Sequence, residues 1–233
     1  MNSNFGEFQV AGSLKRRLNQ LAVEVALTPL QRVLTPMKLA RNRRKAVRKL
    51  EIGPGSRRIP GFETLNIVGG PQVDYVANAI SKLPFPDRTF DVIYASHIIE
   101  HIPWYQLEGA ISEWARKLKP GGLLEVWTPD GLKIAKAFVD AEECGTQDFT
   151  ADGWWRFNDR RDPCLWYSGR LFSYGDGTGR PDHYNWHRST FSERFLSSLL
   201  ERAGLRNIRR MAPDEVRGYD HGWINLGIQG RSV

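Results

Sequence analysis

From residue 46 onward, short apolar runs alternate with segments of helical periodicity, and this alternation limits the folds open to the chain. The apolar run Phe90–Ala95 is typical of a buried strand, and Leu107–Leu118 has the periodicity of a helix. Strands that alternate with helices usually pair in parallel, because each helix carries the chain back across the sheet. The pattern predicts helices over Leu107–Leu118 and Thr190–Ala203, and strands over Ala46–Ile52, Thr64–Val68, Val73–Ala77, Phe90–Ala95, Leu123–Thr128, Arg206–Met211 and Trp223–Gln229.

The N-terminal segment differs from the remainder in charge. Residues 1–49 hold eleven Lys and Arg residues against Glu7 and Glu24, a net charge of +9, so the rest of the chain carries −2 of the overall +7. A basic segment of this kind suits an anionic partner. A peripheral contact with an anionic membrane through residues 1–49 is one hypothesis, because Leu and Val line one face of the segment. A solvated basic helix and nucleic-acid binding are the alternatives, and nothing in the segment indicates base recognition.

The same change in pattern predicts two parts. Residues 1–45 form a basic helical arm, and residues 46–233 form one domain with a loop-rich substrate insertion at about 145–189. Two helices are predicted in the arm, over 13–27 and, broken by Pro36, over Leu30–Arg41. In the insertion, tryptophan and tyrosine are interleaved with arginine. These side chains would either bind a sugar ring, a quinone or a base, or pack together as a small core of the insertion itself.

Several features exclude whole classes of protein. Cys144 and Cys164 have neither the number nor the spacing of a disulfide framework or a metal site. No apolar run reaches transmembrane length, and the N-terminus lacks the core of a signal peptide. We therefore expect a location in the cytoplasm or at the surface of a membrane.

The strongest local signal is the turn Leu50-Glu51-Ile52-Gly53-Pro54-Gly55 at the end of the first predicted strand. Glycines at this position let the backbone approach a ligand without a Cβ in the way, and open parallel sheets bind ligands beyond the carboxyl ends of their strands. Glu51 would receive an ammonium group there. The turn is not a dinucleotide fingerprint, because the third glycine would stand where Arg58 does.

Two longer motifs follow, LPFPDRTFDVIYASHIIEH over Leu83–His101 and LKPGGLL over Leu118–Leu124. With LEIGPG, in this order and spacing, they resemble the class I S-adenosylmethionine-dependent methyltransferases. The resemblance is closest to the branch that includes quinone-biosynthesis enzymes and small-molecule methyltransferases of surface-polysaccharide pathways. It is strong over about 46–130 and weaker over 183–229.

The resemblance implies an α/β fold, a Rossmann-like three-layer sandwich with a seven-stranded, mostly parallel sheet whose last strand is antiparallel. It also implies S-adenosyl-L-methionine as the cofactor. By the resemblance, Glu51, Gly53, Pro54 and Gly55 would hold the methionine end, and Asn66 would hold the ribose. Asn78 and Ala79 would flank the adenine, and Ser96 and His97 would line the floor beneath the sulfonium.

This chain departs from the family pattern at two of these positions. An acidic residue usually ends the second strand and accepts the ribose hydroxyls, but Val68 stands there and only Asn66 is available as a substitute. Asn78 stands where the family often has Asp, and its carbonyl oxygen can still accept from an adenine amino group.

Histidines are the candidates for the chemical step. Methyl transfer to oxygen requires the acceptor to be placed for attack and often to lose a proton, which suits imidazole near neutral pH. His101 follows the fourth strand, and His187 precedes the helix at Thr190, where the related branch has a similar histidine. We predict that one of these two is the catalytic base, with a carboxylate such as Asp130 as the alternative.

The sequence therefore predicts an S-adenosylmethionine-dependent methyltransferase that acts on a small-molecule or glycan acceptor, with oxygen as the favoured atom. A non-catalytic or degenerate protein on the same fold is one alternative, because Val68 replaces the ribose acceptor. An RNA methyltransferase is the other, and the charge of −2 beyond residue 49 argues against it.

Overall fold

The computed structural model describes residues 22–55, 57–145, 158, 160–172 and 183–233. Most of the predicted helix over 13–27, and much of the aromatic and arginine-rich insertion, lie outside the described residues. Within the described part of the chain, no helix is both long and apolar enough to span a membrane.

Seven strands form one sheet with the order β3-β2-β1-β4-β5-β7-β6. The strands β1 to β5 pair in parallel, and β7 runs antiparallel to both β5 and β6. This confirms the predicted Rossmann-like α/β fold with an antiparallel last strand. The strands are β1 Lys49–Ile52, β2 Phe62–Asn66, β3 Tyr75–Val76, β4 Phe90–Ser96, β5 Leu118–Pro129, β6 Arg206–Arg210 and β7 Asn225–Arg231.

Among the described residues, five α-helices accompany the sheet: α1 Thr28–Asn42, α2 Leu107–Arg116, α3 Gly131–Cys144, α4 Pro163–Phe172 and α5 Glu193–Arg202. Helices α2 and α5 pack on one face of the sheet and build the main core. Leu50, Ile93 and Val126 of the sheet meet Trp114 of α2 and Leu196 of α5, and all five side chains are fully buried or nearly so. Burial of these apolar surfaces is the main force that holds the layers together.

The opposite face of the central strands carries a second, smaller core. Tyr94 and Trp127 each follow a core-facing residue by one position, so strand alternation points them to this side. They pack with Phe62, Ile59 and Met211. Among the described residues between β1 and β2 there is no helix.

Helix α1 runs through Pro36 without a break, so the predicted interruption is wrong. Proline removes one backbone donor, but contacts with the rest of the fold hold this helix together. The Thr35 hydroxyl donates to the Gln31 carbonyl oxygen within the helix. The Asn42 amide donates to the Tyr75 hydroxyl of β3 at 2.6 Å. The helical part of the arm is thus packed against β3.

Two helices had no counterpart in the sequence prediction. Helix α3 begins after Asp130, whose carboxylate accepts from the backbone N–H groups of the first turn. Helix α4 lies within the insertion that was expected to be loop-rich. Ile134 and Ala141 of α3 pack against Trp166 of α4, which gives the two helices a core of their own.

Candidate active site

A cavity of about 960 Å³ opens at the carboxyl ends of β1 and β4. These two strands are neighbours, and the chain proceeds outward from them in opposite directions across the sheet. Open α/β sheets bind ligands at this position. Seven of the predicted site residues line the cavity: Glu51, Gly53, Gly55, Ser96, His97, His101 and His187.

Glu51, the second-last residue of β1, has a buried carboxylate that is incompletely hydrogen-bonded. The residue is 5% exposed, and its Oε2 atom has no hydrogen-bond partner among the described residues. Burial raises the pKa of Glu51, and a hydrogen bond from the backbone of Ile59 and the charge of Arg58 oppose that shift. A buried acceptor without a donor is costly unless a ligand supplies one.

Gly53 takes a left-handed conformation with φ of +72°, and the space above it is occupied. A Cβ on this residue would lie 1.9 Å from Cδ1 of Ile98. The sequence predicted that the missing Cβ leaves room for a ligand, whereas in this structure Ile98 takes that room. Around Gly55, by contrast, a Cβ would meet no heavy atom within 4 Å.

His97 follows β4 with φ of +54°, and neighbouring polar groups fix its ring. Its Nε2 lies 2.9 Å from Oδ1 of Asn225. The amide nitrogen of Asn225 donates to Asp220, so the amide oxygen faces the imidazole and Nε2 of His97 carries a proton. On the other side of the ring, Nδ1 lies 3.2 Å from Oε1 of Glu100.

Glu100 is a buried carboxylate that the sequence analysis did not select. Oε2 accepts from the Thr128 hydroxyl at 3.2 Å, while Oε1 has no partner in hydrogen-bond geometry among the described residues, although His97 is near. Burial alone would raise the pKa of Glu100, but the imidazoles of His97, His101 and His187 lower it to about 2. The side chain therefore carries a negative charge at neutral pH.

The two predicted bases, His101 and His187, lie side by side with ring centroids 5.0 Å apart. Nδ1 of His101 lies 3.4 Å from the Trp186 carbonyl oxygen, and Nδ1 of His187 lies 3.1 Å from the Arg170 carbonyl oxygen. Carbonyl oxygens only accept, so each ring is protonated at Nδ1 and its neutral form has a lone pair at Nε2. Burial lowers the pKa of His187 to about 4, with Glu100 opposing the shift.

Four predicted cofactor residues do not line the cavity that the described residues form: Pro54, Asn66, Asn78 and Ala79. The Asn66 and Asn78 side-chain oxygens accept from the nearby backbone N–H groups of Ile67 and Ile80. The Ala79 carbonyl oxygen accepts from the Trp114 indole at 2.9 Å. A cofactor role for these four residues stays a prediction. The carboxylate of Asp130 caps α3, which argues against its use as a base.

A segment near the C-terminus, 217–221, lines the cavity and was missed by the sequence analysis. Arg217 pairs with buried Glu125 at 2.7 Å, and the N–H of Gly218 donates to the Tyr94 hydroxyl. His221 stacks on His97 with ring centroids 3.6 Å apart. Burial, with the neighbouring charge of His97, lowers the pKa of His221 to about 4. No motif marks these residues, and only the fold brings them to the site.

Residues 32–126 match the family model described as a methyltransferase domain. Over these residues the chain is similar to the methyltransferase domain of that family. The matched part of the chain includes Glu51, Gly53 and His97. His187 and the segment 217–221 lie beyond the match, so the structure alone joins them to the site.

Curated relatives of this chain include sterol 24-C-methyltransferases. The one from Yarrowia lipolytica is 35% identical over 96 residues, which are 33% of this chain and 25% of that protein. The one from Schizosaccharomyces pombe is 29% identical over 137 residues, 50% of this chain and 32% of that protein. The chain thus spans a third or less of these relatives' length. A solved Burkholderia thailandensis 1,6-didemethyltoxoflavin-N1-methyltransferase has 16% identity and a TM-score of 0.48, covering 97% of this chain and 90% of that chain.

The cavity has features that fit the amino-acid end of S-adenosylmethionine. The orphaned Oε2 of Glu51 offers an acceptor for an ammonium group. The open space at Gly55 lets a ligand approach the backbone. Ile98 covers Gly53 in this structure, so the approach to that glycine requires a different side-chain rotamer.

Proposed function

We propose that this chain transfers the methyl group of S-adenosylmethionine to an oxygen atom of a small-molecule or glycan acceptor. The observation that carries the proposal is a single cavity that joins the unsatisfied carboxylate of Glu51 to the imidazoles of His101 and His187. One end of this space suits an ammonium group, and the other holds the two imidazoles.

In this proposal the residues after β1 hold the cofactor. Glu51 accepts from the ammonium group, and the backbone at Gly53 and Gly55 lies against the methionine end once Ile98 turns aside. Ser96 and His97 form the floor at the carboxyl end of β4. When bound, S-adenosylmethionine supplies a methyl group on a positively charged sulfur, which makes that carbon electrophilic.

The residues of the second half act on the acceptor. Nε2 of His101 or His187 accepts the acceptor's hydroxyl proton, which leaves an oxygen nucleophile in the cavity. His187 is suited to this task at neutral pH, because its lowered pKa keeps the imidazole unprotonated. The hydrogen bonds from the two Nδ1 atoms to backbone carbonyl oxygens hold the rings in the required tautomer.

Carbon is the alternative acceptor atom, because the relatives from Y. lipolytica and S. pombe are sterol 24-C-methyltransferases by name. We favour oxygen, since two imidazoles suit the removal of a hydroxyl proton. The closer assignment to a quinone or surface-polysaccharide pathway rests on the sequence motifs. A non-catalytic protein is the other candidate, favoured by the position of Ile98 over Gly53.

Calorimetric titration of the full chain with S-adenosylmethionine and S-adenosylhomocysteine tests the proposal without knowledge of the acceptor. We expect one molecule of either compound per chain, and no binding of NADH, which needs the glycine that Arg58 replaces. If the two compounds give no heat and no thermal shift at millimolar concentrations, the result favours the non-catalytic alternative.

We further propose that α1 rests on an anionic membrane surface. Leu30, Val33 and Met37 lie at helical spacing on the exposed side of this helix and are 55%, 74% and 69% exposed. Arg32 and Arg41 are exposed on the same helix. An apolar stripe flanked by basic residues suits the interface of an anionic bilayer.

Replacing Leu30 and Val33 with glutamate should reduce sedimentation with phosphatidylserine vesicles by about tenfold. Deletion of the helix is a poorer test, because Asn42 bonds to β3. Leu132→Glu is the matched control, since Leu132 is also 55% exposed but lies on α3. Binding of the wild-type chain should also weaken as salt rises. Equal sedimentation of all three proteins would contradict the membrane contact.

A further inference from the structure

We propose that Glu100, His101 and His187 form a binding site for a divalent transition-metal cation. The three residues come from two distant parts of the chain, the segment after β4 and the segment before α5. Each offers one ligand atom, and these atoms all lie within 4.8 Å of one another. Glu100 and His187 line both the main cavity and a small pocket beside it.

The ligand set suits such a cation. Two imidazoles and one carboxylate, with further positions open, are a recurrent set for catalytic zinc and for other first-row divalent metals. Ligand histidines nearly always donate their second ring N–H to a carbonyl or carboxylate. His101 and His187 both do so, through the carbonyl oxygens of Trp186 and Arg170.

One acceptor atom of the cluster has no hydrogen-bond donor among the described residues. Oε1 of Glu100 has no partner in hydrogen-bond geometry among the described residues, and Glu100 is 1% exposed. Nδ1 of both His101 and His187 faces a carbonyl oxygen, so Nε2 is the ring atom of each that is available to a cation. His97 is the neighbouring imidazole, 3.2 Å from Oε1. A buried carboxylate beside two nitrogen acceptors is the arrangement that a cation stabilises.

The Thr128 hydroxyl completes the surroundings, because it donates to Oε2 of Glu100 and orients the carboxylate. Bonds to a metal are about 2.0–2.2 Å long, so ligand atoms on one cation lie about 3–4 Å apart. The three side chains would therefore close on the cation by about 1 Å. Three protein ligands leave coordination positions open to the cavity.

The consequence for the chemistry rests on the proposed function. A hydroxyl bound at an open position of the cation loses its proton more readily. The cation would thus perform the task that the imidazoles perform without it, and His101 and His187 would serve as ligands. Metal binding itself depends on neither the cofactor nor the acceptor, so the two proposals are tested separately.

The test is titration of the full chain, freed of metal with a chelator, with Co²⁺ followed by visible absorption. We expect one Co²⁺ per chain with the spectrum of nitrogen and oxygen ligands and without the charge-transfer band that thiolates of Cys144 or Cys164 would give. His101→Ala, His187→Ala and Glu100→Gln should each weaken binding by more than about tenfold. His221→Ala is the control, because His221 lines the same cavity outside the cluster and should bind Co²⁺ like the wild type.

Absence of binding, a thiolate spectrum, or equal binding by the wild type and the three cluster variants would overturn the metal site. Circular dichroism and S-adenosylhomocysteine binding identify any variant that fails to fold, and the remaining variants decide the question. A chain that binds Co²⁺ as expected but no S-adenosylmethionine retains the metal site and loses the proposed function. A chain that binds S-adenosylmethionine but no Co²⁺ retains the proposed function and loses the metal site.

Discussion

Replacing His187 with alanine should lower turnover by about 10²–10⁴-fold, because the variant loses a positioned proton acceptor. The affinity for S-adenosylmethionine should change little, since His187 lies at the acceptor end of the cavity, next to His101. The measurement is the rate of S-adenosylhomocysteine formation in the presence of a chelator, with a hydroxyl compound on which the wild type turns over. Added imidazole should restore part of the lost rate in the alanine variant. A variant with near-normal turnover would remove His187 as the base and leave His101 to be tested in the same way.

The pH dependence gives an independent check on the same residue. A base must be unprotonated to accept, and burial lowers the pKa of His187 to about 4. The turnover of the chelator-treated wild type should therefore hold as the pH falls through the ordinary imidazole range near 6.5 and decline only near 4. A decline centred near 6.5 would assign the proton to a different group.

Glu51→Gln should weaken the binding of S-adenosylmethionine by about 10- to 150-fold, equivalent to about 1.5–3 kcal/mol for a hydrogen bond between charged groups. Glutamine keeps the size of the side chain and removes the charge that would receive the ammonium group. The free energy of unfolding should not fall, because burial already disfavours the ionised carboxylate and raises its pKa. Isothermal calorimetry and urea denaturation give the two quantities.

Glu201→Gln on α5 is the matched control for this substitution, since Glu201 is exposed and far from the cavity lining. It should bind S-adenosylmethionine like the wild type. If Glu51→Gln and Glu201→Gln both keep the wild-type dissociation constant, the ammonium group is not held at Glu51.

Local sequence patterns were sufficient to predict the central strands of the sheet. The apolar run of β4 and the Gly-Pro-Gly turn after β1 are contiguous signals, and both elements are in the expected places. The pattern failed where packing between distant elements decides the structure. Helix α3, which Asp130 caps, had no counterpart in the sequence prediction. Helix α1 continues past Pro36, and Asn42 bonds it to Tyr75 of β3.

Only those site residues that belong to contiguous sequence motifs could be predicted. Glu51 and His97 belong to contiguous motifs, whereas the contact between His97 and Asn225 joins residues 128 positions apart. No sequence period encodes such a contact. Glu100 carried one usable signal, a single acid within the apolar run after β4, three residues beyond His97. The position of Ile98 over Gly53 depends on a side-chain rotamer and had no sequence signal.

The most direct test of the account is a crystal structure of the full chain with S-adenosylhomocysteine. We predict ligand density in the cavity at the carboxyl ends of β1 and β4, with the ammonium group within hydrogen-bond distance of Oε2 of Glu51. Ile98 should be turned away from Gly53, and the sulfur should lie on the side of the cavity that faces His101 and His187. Density for the ligand at any other place on the chain, with Ile98 still above Gly53, would contradict the account.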